Sequence, residues 1–144
     1  MRIDGQWLWC DDGVMRPVIS GESLAGDGSW EKIEFLVDTG ADRTVFSMAT
    51  LAKLALQPLP IQDGISGLGG MADSVIVATQ IRLTRENAGK VVFRGQYAAV
   101  TELEALDMNV LGREITGLFA VIVDQLHDVV CLLGQRHRYT IEPD

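Results

Sequence analysis

The chain has 144 residues, 47% of them hydrophobic and 22% charged, which supports one domain with an apolar core and excludes a disordered chain. The formal net charge of −8 repels phosphate backbones and offers anionic lipid no basic patch, so no nucleic acid and no membrane are expected as partners. No apolar run reaches bilayer length, the first residues lack a signal-peptide pattern, and two cysteines without ligand spacing, Cys10 and Cys131, are expected as thiols in a cytoplasmic protein.

Short apolar runs rich in β-branched residues, bounded by Gly, Asp, Asn or Pro, predict an all-β domain with tight turns. Arg16–Ser20 reads as extended and Gly21–Ser29 as a turn or loop. Ile33–Val37 is a strand leading into Asp38-Thr39-Gly40. Ser47 is the expected N-cap of a helix over Met48–Leu54, with Met48, Leu51, Ala52 and Ala55 at helical spacing and Pro58 and Pro60 beyond it. The glycine-rich Ile65–Met71 is expected to turn a long hairpin into a strand over Ser74–Leu83. Arg85–Gly89 is a second turn, with strand material at Val91–Phe93 and Tyr97–Val100. Asn109–Leu111 is a short strand, and Gly112 opens a brief helix with Arg113, Glu114 and Ile115. Leu118–Val123 and Val129–Leu133 are expected as the last two strands. Residues 1–144 read as a single domain, with residues 1–30 open as an N-terminal arm, a pro-segment or part of the barrel.

The segment that carries chemistry is Phe35-Leu36-Val37-Asp38-Thr39-Gly40-Ala41-Asp42-Arg43-Thr44-Val45-Phe46. An apolar strand delivers one carboxylate to a turn of small residues. Gly40 admits close backbone approach, and the short Thr39 hydroxyl can hydrogen-bond without filling the site. One carboxylate cannot activate water and protonate a leaving group in the same step. Two that share a proton can, because like charge at close range splits their affinities for it. The chain holds a single Asp-Thr-Gly, so a second carboxylate has to come from another copy, which a two-fold axis supplies.

Three blocks carry a resemblance to the retropepsin-like aspartic proteases, the single-lobe, retroviral-type relatives of pepsin. They are Leu36-Val37-Asp38-Thr39-Gly40-Ala41-Asp42 with Thr44-Val45, then Gly67-Leu68-Gly69-Gly70, then Val110-Leu111-Gly112-Arg113-Glu114. Any one block is a weak signal, and the three in this order are a specific one. The resemblance implies a closed, all-β acid-protease barrel with a flap hairpin and one or two short helices. It implies a homodimer acting on peptide or unfolded protein as an aspartic endopeptidase, with no cofactor and no metal.

By position, the resemblance implies Asp38 as the catalytic acid, Thr39 as a cross-subunit hydrogen-bond partner beneath the dyad, and Gly40 as an acceptor for substrate backbone. Ala41 and Asp42 would line the cleft, with Asp42 paired to Arg113 of its own subunit. Ser66, Gly67, Leu68, Gly69 and Gly70 would form the flap, and Gly112 would let the helix pack behind the catalytic turn. Val45, Leu68 and Ile76 are candidate walls of apolar pockets. Glu114 stands where the family has Asp or Asn.

Against this stand ordinary roles: a turn aspartate, a plain hairpin, a surface cation at a helix start. Trp7, Trp9 and Trp30 are expected in a core or an interface, and Gln135–Arg138 as a solvated basic end. The alternative function is a catalytically silent dimerisation or peptide-binding module, and a third is a small barrel from a larger assembly.

Overall fold

A computed structural model describes residues 1–60 and 73–134. The strands are β1 (Arg2–Asp4), β2 (Gln6–Trp9), β3 (Met15–Leu24), β4 (Trp30–Val37), β5 (Val45–Phe46), β6 (Ser74–Thr84), β7 (Lys90–Val100), β8 (Asn109–Leu111), β9 (Ala120–Asp124) and β10 (Val129–Leu133). Two short helices interrupt them, α1 (Met48–Leu54) and α2 (Arg113–Thr116).

Alternation decides which face each strand buries. In β4, Ile33, Phe35 and Val37 point inward; in β6, Val77, Thr79, Ile81 and Leu83 do. Phe35, Phe46, Leu54, Ile81, Leu83, Leu111 and Ile115 meet in the main core, each contributing about 1.5–3 kcal/mol by leaving water. A smaller cluster gathers Val45, Ile76, Ala98, Val100 and Val110. Val45 and Ile76, expected to wall substrate pockets, are both buried in it.

The strands run in the order β3–β4–β8–β5–β7–β6, and β6 pairs with β3 to close a six-stranded barrel. Closure removes the exposed edges that an open sheet would leave. It also corrects one expectation. Gly21–Ser29 was expected as a loop, yet β3 runs on to Leu24 and the turn is confined to Ala25–Ser29. The reason is the seam, where Gly21, Glu22 and Ser23 pair with β4 on one side and with Leu83, Arg82 and Ile81 on the other. A Cβ at Gly21 would stand 2.6 Å from the Leu83 side chain. Here glycine marks close strand crossing rather than a turn. Thr79 Oγ1 donates to the Leu24 carbonyl at 2.7 Å across the same seam.

A separate sheet joins β1, β10 and β9, all antiparallel. Trp7 is half-buried and its indole donates to the Asp124 carbonyl. Trp30 is half-buried beneath the Arg82 guanidinium, 4.0 Å from the ring centre. Trp9, expected in a core or an interface, is 69% exposed and outside the core of its own chain, on β2 at the edge of the sheet. Cys10 and Cys131 are free thiols, and burial pushes that of Cys131 up. Among the described residues no helix is long and apolar enough to cross a membrane.

α1 begins at the expected Ser47, whose Oγ accepts from the Thr50 amide, and ends at Ala55 in the left-handed region. Ahead of it, buried Asn109 ties two elements together. Its Oδ1 accepts from the Ser47 amide at 2.8 Å and its Nδ2 donates to the Glu34 carbonyl at 3.1 Å.

Candidate active site

β4 ends at Val37, and the chain turns at Asp38 before re-entering the barrel as β5. Asp38 is half-buried, while Thr39 and Gly40 are exposed. Within the turn the Asp38 carboxylate accepts the Gly40 amide at 2.9 Å, and the Ala41 amide donates to the Asp38 carbonyl. The acid is thus held by its own turn, with its position fixed by the buried strand behind it. Ala41 packs against the Val45 and Val110 cluster.

The turn is gripped from one side by four consecutive residues, Leu111–Glu114. The Leu111 carbonyl accepts the Asp38 amide at 3.2 Å. The Gly112 amide donates to Thr44 Oγ1 at 3.1 Å. The Arg113 amide donates to the Ala41 carbonyl at 2.9 Å, and its guanidinium donates to the Thr39 carbonyl and to the Asp42 carboxylate. Glu114 Oε2 accepts the Thr44 amide at 3.0 Å. Arg113 and Asp42 are both exposed, so their pair contributes little to stability; its effect is to fix the backbone of Thr39.

Gly112 is buried against the Arg43 carbonyl, and no side chain fits there. Neighbouring Tyr97, buried against Phe46, has its hydroxyl pushed up to about 12, chiefly by burial and also by the Glu114 charge.

Of the residues singled out in the sequence, Asp38, Thr39, Gly40, Ala41, Asp42, Gly112 and Arg113 come together here. Ser66, Gly67, Leu68, Gly69 and Gly70 lie outside the described residues. Two residues at the site had no role assigned from sequence, Thr44 and Glu114. Thr44 is fully buried, and the signal for it was a hydroxyl residue placed directly before the apolar Val45-Phe46. A groove of about 800 Å³ lined by Glu22, Lys32, Lys53 and Lys90 includes none of residues 38–42.

A family model described as aspartyl protease matches residues 24–115, which span the turn, β6 and the start of α2. A crystal structure of a retropepsin-like aspartic protease from Rickettsia conorii is similar in fold, with a TM-score of 0.57 and 18% identity, over 92% of this chain and 90% of that one. EIAV protease complexed with the inhibitor HBY-793 matches at 23% identity and a TM-score of 0.46, over 71% of this chain and 86% of that one. No curated protein matches the chain.

Proposed function

The chain belongs to the aspartyl protease family, and from that premise we propose that it is an endopeptidase whose active centre forms when two copies bring their Asp38 carboxylates together. The observation that carries this reading is the single Asp-Thr-Gly of the chain, standing at the end of β4. A two-fold axis next to Thr39 supplies the missing acid without further sequence.

In the proposed reaction a water lies between the two carboxylates, which share one proton. The ionised carboxylate takes a proton from the water as its oxygen attacks the peptide carbonyl carbon, and the protonated one donates to the carbonyl oxygen. The resulting tetrahedral species collapses with protonation of the amide nitrogen, releasing amine and acid. Exposed Gly40 offers backbone for an extended peptide, which binds as an added strand. The protonation states belong to the pair and not to either residue.

The test is to incubate the purified chain and its Asp38→Asn variant with unfolded protein across a range of pH. Cleavage by the wild type alone supports the proposal. Cleavage that survives Asp38→Asn removes Asp38 from the chemistry, and cleavage by neither form favours the silent peptide-binding module.

A further inference from the structure

The catalytic turn leaves β4 at Asp38 and re-enters the sheet at Val45. Its entry is tied by the Asp38 amide to Leu111, and its middle by Arg113 to Thr39, Ala41 and Asp42. Its exit is tied at Thr44, a residue with no exposed surface. The Thr44 hydroxyl takes the Gly112 amide, and the Thr44 amide is taken by the carboxylate of Glu114. A buried backbone amide needs an acceptor, and among the described contacts Glu114 is the one that serves Thr44.

We infer that Glu114 is a positioning residue for the Asp38 chemistry, holding the exit of the catalytic turn through the buried Thr44 amide. This inference rests on the proposed proteolytic role of Asp38. Three properties single out Glu114. Its carboxylate crosses from α2 to the turn, 70 residues away in sequence. Its carboxylate enters no ion pair among the described residues and meets the Thr44 amide instead. Gly112, two residues before it, is packed against the Arg43 carbonyl, which seats α2 beside Thr44. Glu114 itself is exposed overall, and its carboxylate meets the buried Thr44 at the amide.

What matters at this contact is an acceptor oxygen at the right reach, not negative charge. Glutamine keeps that oxygen at the same distance along the side chain. Leucine removes it, and aspartate draws it back by one methylene. Losing the bond leaves the exit of the turn held by the Thr44 hydroxyl and the Gly112 amide alone while its entry stays pinned, so the two carboxylates of a dimer would share their proton in a broader range of geometries. Misplacement of this kind acts on kcat, because the groups that bind the peptide flanks remain in place.

The experiment compares wild type, Glu114→Gln, Glu114→Leu and Glu114→Asp by two readouts. The first is steady-state cleavage of an unstructured peptide. Glu114→Gln is expected within about twofold of wild type, and Glu114→Leu and Glu114→Asp about tenfold down in kcat with KM little changed. The second is hydrogen exchange at the Thr44 amide, which needs no activity. It is expected slow in wild type and Glu114→Gln, and about tenfold faster in the other two. If Glu114→Leu does not fold, Glu114→Asp carries the same comparison. Equal Thr44 protection in all four forms overturns the inference, as does loss of kcat in Glu114→Gln equal to that in Glu114→Leu. If the wild type cleaves nothing, the proteolytic reading of Asp38 fails, and with it the role of Glu114 in positioning; the exchange data then still show whether the contact itself exists.

Discussion

Gly112 lies directly against the carbonyl of Arg43, so closely that the smallest side chain would overlap it. That contact seats α2 behind the Asp38 turn and brings the Gly112 amide to Thr44 Oγ1. The obstacle is backbone and cannot rotate away. Gly112→Ala is therefore expected to destabilise the fold by about 2–3 kcal/mol, read as a lower midpoint in urea unfolding. A midpoint equal to wild type would show that the turn can retreat.

Arg113 does with one planar group what a lysine cannot do. Its guanidinium reaches the Thr39 carbonyl and the Asp42 carboxylate together. Arg113→Lys is expected to leave the thermal midpoint nearly unchanged, because the pair is exposed, and to lower kcat about tenfold, because a point charge cannot hold both acceptors in one geometry. Melting curves and peptide kinetics on the same preparation check the two halves.

Glu22 accepts from Arg82 at 2.6 Å and from Lys90 at 3.0 Å on the outer face of the barrel seam. The Arg82 hydrogen bond, and after it Lys90, holds its carboxyl down at about 2. A folded-state value below the unfolded one contributes stability that is present above the unfolded value and lost as pH falls through the folded one. The cluster thus supports the fold through mild acid and loses its effect from about 4.5 down to about 2. Glu22→Gln is expected to cost about 1 kcal/mol at pH 7, with the gap to wild type closing as unfolding is followed toward pH 2. A constant gap would place the effect in packing instead of charge.

Thr79 contributes one of the few polar side chains buried at the seam, where its hydroxyl donates to Leu24 and lies 3.5 Å from that of Ser23. Thr79→Val keeps the shape but strands the Leu24 carbonyl. A loss of about 1–2 kcal/mol is expected, measured by chemical denaturation. No loss would mean that β3 and β6 are held by their ladder alone.

The strands, the capped α1 and the tight turn at Asp38 were legible because each rests on local chemistry. Alternation in β4, the Ser47 hydroxyl and the small residues after Asp38 all act within a few positions of themselves. What stayed hidden depends on pairing across long sequence distances. Gly21 read as a turn because glycine favours turns, whereas its real constraint is Leu83 on a strand far along the chain. Glu114 read as a departure from a family pattern, and its reason became visible only with Thr44 beside it. Asn109 read simply as the start of a strand, since nothing local tells that its amide bridges Ser47 and Glu34. For Trp9, expected in a core or an interface, the edge position of β2 rules out the core of its own chain.

The direct test of a shared centre is a mixing experiment at fixed wild-type concentration. Wild type is co-refolded with rising amounts of Asp38→Asn, and peptide cleavage is measured at each ratio. If each active unit draws one Asp38 from each of two copies, mixed pairs are inactive and the rate falls toward zero as the variant sequesters wild-type chains. A rate that stays constant, however much variant is present, would mean that a single copy carries the whole reaction.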